Sequence, residues 1–256
     1  MLDRTSAREM IWKELIKVAK PDSRFHFDFA EFITDFEGSL KACQRLCDLD
    51  AYQKAQVVFI TPDNCLEDLR AQVIKDGKTL LMTTYGIRRG FLELRREDVP
   101  EGQENLAVLL DAIERYGHPV SLRDMQRRYK IDLLVTGGSA INLKGQRFGK
   151  GHGFFDLEWA MLYAIGAVNL ETLVADIVHD CQVVDIDLDS SPLDTVCDLI
   201  ITPTRIVYVK NPQKPEHGVV WAKLQPGMME DISPLAELKD MEAEGLLRTL
   251  TPLGEG

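Results

Sequence analysis

Residues Gln56–Thr83 read QVVFITPDNCLEDLRAQVIKDGKTLLMT. Gln56–Ile60 is a short run of β-branched and aromatic residues, the pattern of a buried strand, and Thr79–Thr83 is a second. Between them, Asp63 or Asn64 is placed to cap a helix with apolar positions at Leu66, Leu69 and Val73 and a stop at Gly77. Two strands joined through a helix favour parallel pairing with a right-handed crossover. The pattern recurs as a helix over Glu104–Tyr116, closed by Gly117, and a strand at Asp132–Thr136. Further strands are predicted at Leu173–Val178, Asp198–Thr202 and Arg205–Val209. The fold class that follows is α/β, a three-layer α/β/α sandwich around a mainly parallel sheet. Pro212, Pro215, Pro226 and Pro234 then crowd the chain. Residues 1–212 read as one domain and 213–256 as an appendage packing on it, with a strand at Val219–Trp221 and a helix over Leu235–Leu247.

With 256 residues, 45% hydrophobic and 28% charged, the chain has ordinary globular usage, which excludes disorder and coiled coil. Thirty Lys and Arg against 41 Asp and Glu leave a net charge of −11, a surface that repels phosphate backbones and excludes nucleic acid as a partner. The five cysteines form no C-x-x-C pair, so reduced thiols in a cytoplasmic protein are expected, with neither zinc nor disulfides. Cys43 and Cys47 read as packed thiols. No apolar signal core opens the sequence, and the longest uncharged apolar run, Trp159–Leu170, falls short of the ~20 residues of a membrane span, so no membrane partner is expected.

The stretch richest in chemistry is Gly145-Gln-Arg147-Phe-Gly149-Lys150-Gly151-His152-Gly153-Phe154-Phe155-Asp156, which runs into a helical segment, Leu157–Ile165. Gly149, Gly151 and Gly153 at alternate positions let the backbone approach a ligand and turn its amides inward, while Arg147 and Lys150 bring positive charge. A helix start adjoining such a loop suits phosphate. Asp156 is placed either to cap that helix or to hold a Mg²⁺ that bridges phosphate oxygens. The spacing is neither that of a Walker loop nor G-x-G-x-x-G.

The pattern G-x-R-x-G-x-G-x-G-[FY]-[FY]-D resembles the signature of the 5-formyltetrahydrofolate cyclo-ligase family, also called methenyltetrahydrofolate synthetases. His179-Asp-Cys-Gln-Val-Val184 and Asp198-Leu-Ile-Ile-Thr-Pro203 resemble the same family. From Arg8 to Lys239 the sequence resembles the divergent, cyclo-ligase-like branch, through Ala7–Trp12, Asp156-Leu-Glu158, Ile177–Asp185, Thr202–Arg205 and Trp221-Ala-Lys223. The resemblance implies a fold like that of sugar-phosphate isomerases and CoA transferases. It also implies an ATP- and Mg²⁺-dependent ligase in which the formyl oxygen of 5-formyltetrahydrofolate attacks the γ-phosphoryl group. A folate nitrogen then closes the ring and expels phosphate to leave 5,10-methenyltetrahydrofolate. Such a transfer is chiefly alignment and charge neutralisation.

By the same resemblance Arg147, Lys150 and Asp156 are catalytic, and Asp156 is the metal ligand. Arg4, Arg8, Arg147, Gly149, Lys150, Gly151, Gly153, Phe154 and Asp156 hold the nucleotide, while Phe155 and Gln182 touch a folate-like or heterocyclic substrate. Arg4 and Arg8 stand one helical turn apart. The sequence departs from the family pattern at three places. No glutamate follows the first strand before Glu67, Phe155 stands where tyrosine is usual, and Asn142 replaces an acidic residue. The phosphate half is retained and the substrate half altered, which leaves a cyclo-ligase or related ligase of altered substrate as the leading reading and a non-catalytic nucleotide- or folate-binding protein as the alternative. A sugar-phosphate or CoA-ester enzyme rests on fold alone, which is poor evidence for chemistry. His179 reads as a structural histidine, His152 as non-catalytic, and Trp159, Leu162 and Tyr163 as core.

Overall fold

The computed structural model describes residues 4–187 and 190–248, apart from the side chain of Arg4. The strands are β1 (Val57–Ile60), β2 (Thr79–Thr83), β3 (Phe91–Leu94), β4 (His118–Val120), β5 (Leu133–Gly137), β6 (Ala140–Asn142), β7 (Arg147–Phe148), β8 (Leu173–Ile177), β9 (Val183–Val184), β10 (Leu199–Ile201) and β11 (Ile206–Tyr208). Eight of them form one sheet in the order β11-β10-β8-β5-β1-β2-β3-β4. Its centre is parallel, with Val57 opposite Thr79 and Val58 opposite Leu133, whereas at the margins β3 and β11 run against the central strands and β4 pairs antiparallel with β3. A smaller sheet, β7-β6-β9, stands beside it.

Alternation along the central strands divides the core in two. Val58, Ile60, Leu80, Met82, Leu133 and Val135 enter one apolar cluster, and the intervening Phe59, Leu81 and Leu134 enter another. Helices Ser39–Cys47 and Glu67–Lys75 bury Leu46, Leu69, Val73 and Ile74 in the first. Helices Phe154–Ala164 and Ser233–Ala243 bury Trp159, Leu162, Leu235, Leu238 and Met241 in the second. Helices on both faces of a mostly parallel sheet explain why these strands are apolar throughout rather than alternating with polar residues. Among the described residues, no helix is long and apolar enough to cross a membrane.

Helix Glu67–Lys75 ends as expected. Gly77, at φ +71, lets the Lys78 amide donate to the Val73 carbonyl and its own amide to that of Ile74. Its start differs. Asn64–Leu66 is a 3₁₀ turn, the Asn64 side chain donates to Asp22, and the Asp63 carboxylate accepts from Thr61 and the Gly137 amide. The helix expected over Glu104–Tyr116 is broken into Glu104–Ala107 and Ile113–Tyr116. The fully buried Arg70 accounts for the break: its guanidinium donates to the carbonyls of Val108, Thr61 and Asp63, so the Val108 carbonyl serves a side chain in the gap between the two helices. β3 and β4 have no counterpart in the sequence reading; β4 carries Pro119, which an edge strand tolerates. Val219 and Val220 are not a strand but line a cavity ahead of the single turn Trp221–Lys223.

Arg70→Ala leaves three backbone carbonyls without their donor. Stability should fall by about 3 kcal/mol or more, seen as a lower midpoint of urea unfolding at unchanged slope. A midpoint equal to that of the parent protein contradicts the strut role of Arg70.

Candidate functional site

A cavity of about 400 Å³ opens at the carboxyl ends of the central strands, where Thr61 follows β1, Thr83 ends β2 and Thr136 lies in β5. Ligand clefts in open α/β sheets lie at such strand ends. The glycine loop is brought there by the β6–β7 hairpin. Gly145 has φ +78, and a Cβ on it would lie 2.3 Å from the Cys197 carbonyl, so only glycine fits that turn. β7 then delivers Arg147, residues 149–153 border the cavity, and Gly153 at φ +69 precedes the first residue of helix Phe154–Ala164.

Arg147 is buried. Its Nη2 donates to the Gly137 carbonyl at 2.8 Å, its Nε lies 4.0 Å from Asp176 Oδ2, and its guanidinium stands 4.8 Å from the centre of the Phe155 ring. Burial alone would lower its pKa, but the Asp176 and Asp156 carboxylates outweigh that and raise it. Asp176 is wholly buried, and burial pushes its carboxyl up to about 7 against the pull of Arg147. Phe155 is therefore a plate under Arg147, a role that needs the ring and not a phenol. Asp156 is not the helix cap: it sits in the first turn and accepts from the Thr195 amide at 2.8 Å. Burial raises its pKa, opposed by Arg147.

Lys150 reaches into the same cavity. Its Nζ donates to the Glu31 carbonyl at 2.9 Å and lies 4.7 Å from the centre of the Tyr85 ring, and burial lowers its pKa. Arg8 Nε donates to the Gly149 carbonyl at 2.9 Å. Gly151, at φ +117, leaves room that a Cβ would fill 3.4 Å from the Arg8 guanidinium. His152 stacks on Phe154, with ring centres 5.3 Å apart. Arg8, Arg147, Gly149, Lys150, Gly151, Gly153, Phe154, Phe155 and Asp156 thus all line one cavity.

Two expected residues do not join them. The Arg4 side chain lies outside the described residues. Gln182 is buried away from the cavity: its amide donates to the Gly138 and Ser139 carbonyls and accepts from the His179 amide, so both its polar ends serve the main chain. His179 accepts from the Cys181 amide and packs on Phe36, a structural use.

The cavity also holds residues that sequence reading passed over. Thr83 donates to Glu158 Oε1 at 2.5 Å, and burial pushes the Glu158 carboxyl up to about 8. Asp63 faces the same space, as do Phe25, Tyr85 and, from the C-terminal segment, His217, Lys223 and Met228. Glu158 and Lys223 fall within the motifs Asp156-Leu-Glu158 and Trp221-Ala-Lys223; the others come together only through topology.

A model of the 5-formyltetrahydrofolate cyclo-ligase family matches residues 2–203. A human "methenyltetrahydrofolate synthase domain-containing protein" is 37% identical over 216 residues, which cover 83% of this chain and 55% of that protein. Its Danio rerio namesake is 35% identical over 217 residues, 83% of this chain and 56% of its own. The chain therefore spans about half the length of these relatives. The solution structure of Aquifex aeolicus 5,10-methenyltetrahydrofolate synthetase superposes with a TM-score of 0.51 at 18% identity, covering 85% of this chain and 98% of that one, a likeness of fold.

Glu158 yields a pH test. Its folded pKa of about 8 exceeds the ordinary 4.5, so the folded chain keeps a proton that the unfolded chain releases, and stability drains away as pH rises between those values. Glu158→Gln keeps an acceptor for Thr83 and removes the titration. Its melting temperature should gain on the parent steadily from pH 5 to 8, by about 2–4 °C for each kcal/mol recovered. A difference independent of pH contradicts the raised Glu158.

Proposed function

Since the chain belongs to the 5-formyltetrahydrofolate cyclo-ligase family, we propose that it is an ATP- and Mg²⁺-dependent cyclo-ligase, or a ligase of altered substrate, with residues 147–156 as its phosphate cradle. One observation carries this reading. The glycine loop, Lys150, Arg8 and the start of an 11-residue helix converge on one cavity at the carboxyl edge of the sheet. Amides and cations so arranged meet the negative charge of a triphosphate without reorganising at the moment of reaction.

The residues fit a nucleotide. Gly151 keeps open the space beside Arg8 that any side chain would fill. Among the described residues, no group of three or more His, Cys, Asp or Glu could hold a metal by itself, so Mg²⁺ would be held by phosphate oxygens with Asp156 as its protein carboxylate. Bound there, Mg²⁺ supplies neutralisation of charge on the transferred phosphoryl group. A cation beside Asp156 would also relieve the burial that now raises its pKa.

The chain's own part is binding and alignment. Lys150 exchanges the Glu31 carbonyl for a phosphate oxygen, a stronger, charge-assisted partner. Arg147 holds the cradle from behind through Gly137 and Asp176 and adds its charge to the field. Arg8 fixes the loop through the Gly149 carbonyl. Phe154 and Phe155 anchor the first turn of the helix whose start faces the phosphates. The second reading, a non-catalytic nucleotide- or folate-binding protein, is favoured by Phe155, which has no hydroxyl to offer a substrate.

Calorimetry with Mg²⁺ and a non-hydrolysable ATP analogue should show binding that Lys150→Ala weakens about tenfold or more. Incubation with 5-formyltetrahydrofolate and Mg·ATP should give methenyl absorbance with equimolar ADP and phosphate. ADP without the methenyl signal selects an altered substrate, and binding without turnover selects the non-catalytic reading. Absence of nucleotide binding, or binding indifferent to Lys150, overturns the proposal.

A further inference from the structure

The cavity contains a buried carboxyl two residues beyond Asp156. Glu158 lies on the second turn of helix Phe154–Ala164, is 2% exposed and lines the cavity. The Thr83 hydroxyl, at the end of β2, donates to its Oε1 at 2.5 Å, and among the described residues Oε2 has no hydrogen-bond partner. A carboxyl keeps acceptor capacity in either protonation state. A carboxyl oxygen on the cavity wall with acceptor capacity to spare takes a hydrogen bond from a ligand that brings a donor.

The shape of the surrounding walls narrows the ligand class. Tyr85 stacks on Phe25 with ring centres 5.7 Å apart and planes 20° apart. His152 stacks on Phe154 at 5.3 Å and 11°. All four rings border the cavity that Glu158 borders. Gly86, at φ +62, brings the Tyr85–Ile87 turn so near that a Cβ on it would lie 3.6 Å from the Phe154 ring. Aromatic rings and a buried carboxyl that line one cavity suit a planar ligand with polar hydrogens on its edge.

We infer that Glu158 is the specificity-determining residue of the substrate end of the cavity. Its carboxyl, positioned by Thr83, accepts from the ring N–H or exocyclic amino group of a flat nitrogen heterocycle lying against the aromatic pairs. The inference rests on the cyclo-ligase reading of the cavity and supplies it with a substrate contact in this chain's own residues. Thr83 is a positioning residue, since it acts through Glu158.

The test uses the full chain and two probes, 2-amino-4-oxopteridine followed by its fluorescence and the Mg²⁺-loaded ATP analogue followed by calorimetry. The parent protein should bind the pteridine. Glu158→Ala should weaken that binding about tenfold or more and change nucleotide binding by a much smaller factor. Thr83→Val should weaken pteridine binding to a lesser degree, again with a smaller effect on nucleotide. Should Glu158→Ala fail to fold, Thr83→Val decides: a pteridine-specific loss supports the inference, and unchanged binding overturns it. No pteridine binding by the parent, parental binding by a folded Glu158→Ala, or equal loss of both ligands also overturns it. Pteridine binding that depends on Glu158, without methenyl formation or ADP release, removes the proposed reaction and leaves the Glu158 assignment standing.

Discussion

The site depends on a buried guanidinium. Arg147 enters from β7, donates to the last carbonyl of β5, faces Asp176 on β8 and rests on Phe155 of the following helix. Four separate pieces of chain therefore meet at one cation. Its surroundings are sparing: Arg147 Nε and both oxygens of Asp176 are buried without hydrogen-bond partners among the described residues. A charge taken that far from water is costly unless opposite charge stands beside it, and Asp176 and Asp156 provide it. The glycine loop follows Arg147 directly, so whatever holds Arg147 also holds the loop that follows it.

The remaining walls are tied to that loop by weaker links. The Glu31 carbonyl is held from two sides, by Lys150 Nζ of the loop at 2.9 Å and by the hydroxyl of Tyr85, from the turn after β2, at 2.7 Å. On the far side, Trp159 Nε1 donates to the Pro215 carbonyl at 3.0 Å, which draws the C-terminal segment against the helix that begins at the loop. His217, Lys223 and Met228 reach the cavity by that route. Residues after 212, read from sequence as an appendage, thus help to enclose the space where the chemistry is proposed.

The parallel strands were legible because both faces of the sheet are covered, which makes runs such as Val57–Ile60 and Leu133–Gly137 apolar without interruption. The loop was legible because its glycines and cations are contiguous. What stayed hidden depends on contacts between distant residues. Arg70 looks like a solvent-facing charge on a helix, yet it is wholly buried and donates to the Val108 carbonyl in the break of Glu104–Tyr116. Glu158 sits in a helical run that is otherwise apolar, where a lone polar residue reads as surface, and only β2 brings Thr83 to it. Gln182 misled in the opposite sense: the motif around it matches the family, while the side chain braces the backbone after β5.

The central claim is that the main-chain amides of 149–154 receive phosphate. Amide chemical shifts of the ¹⁵N-labelled chain, followed as Mg²⁺ and the ATP analogue are added, test it directly. The account predicts that the largest shifts fall on Gly149, Gly151, Gly153 and Phe154, saturating together with the calorimetric signal. Largest shifts that map to the opposite, amino-terminal ends of the parallel strands would contradict it.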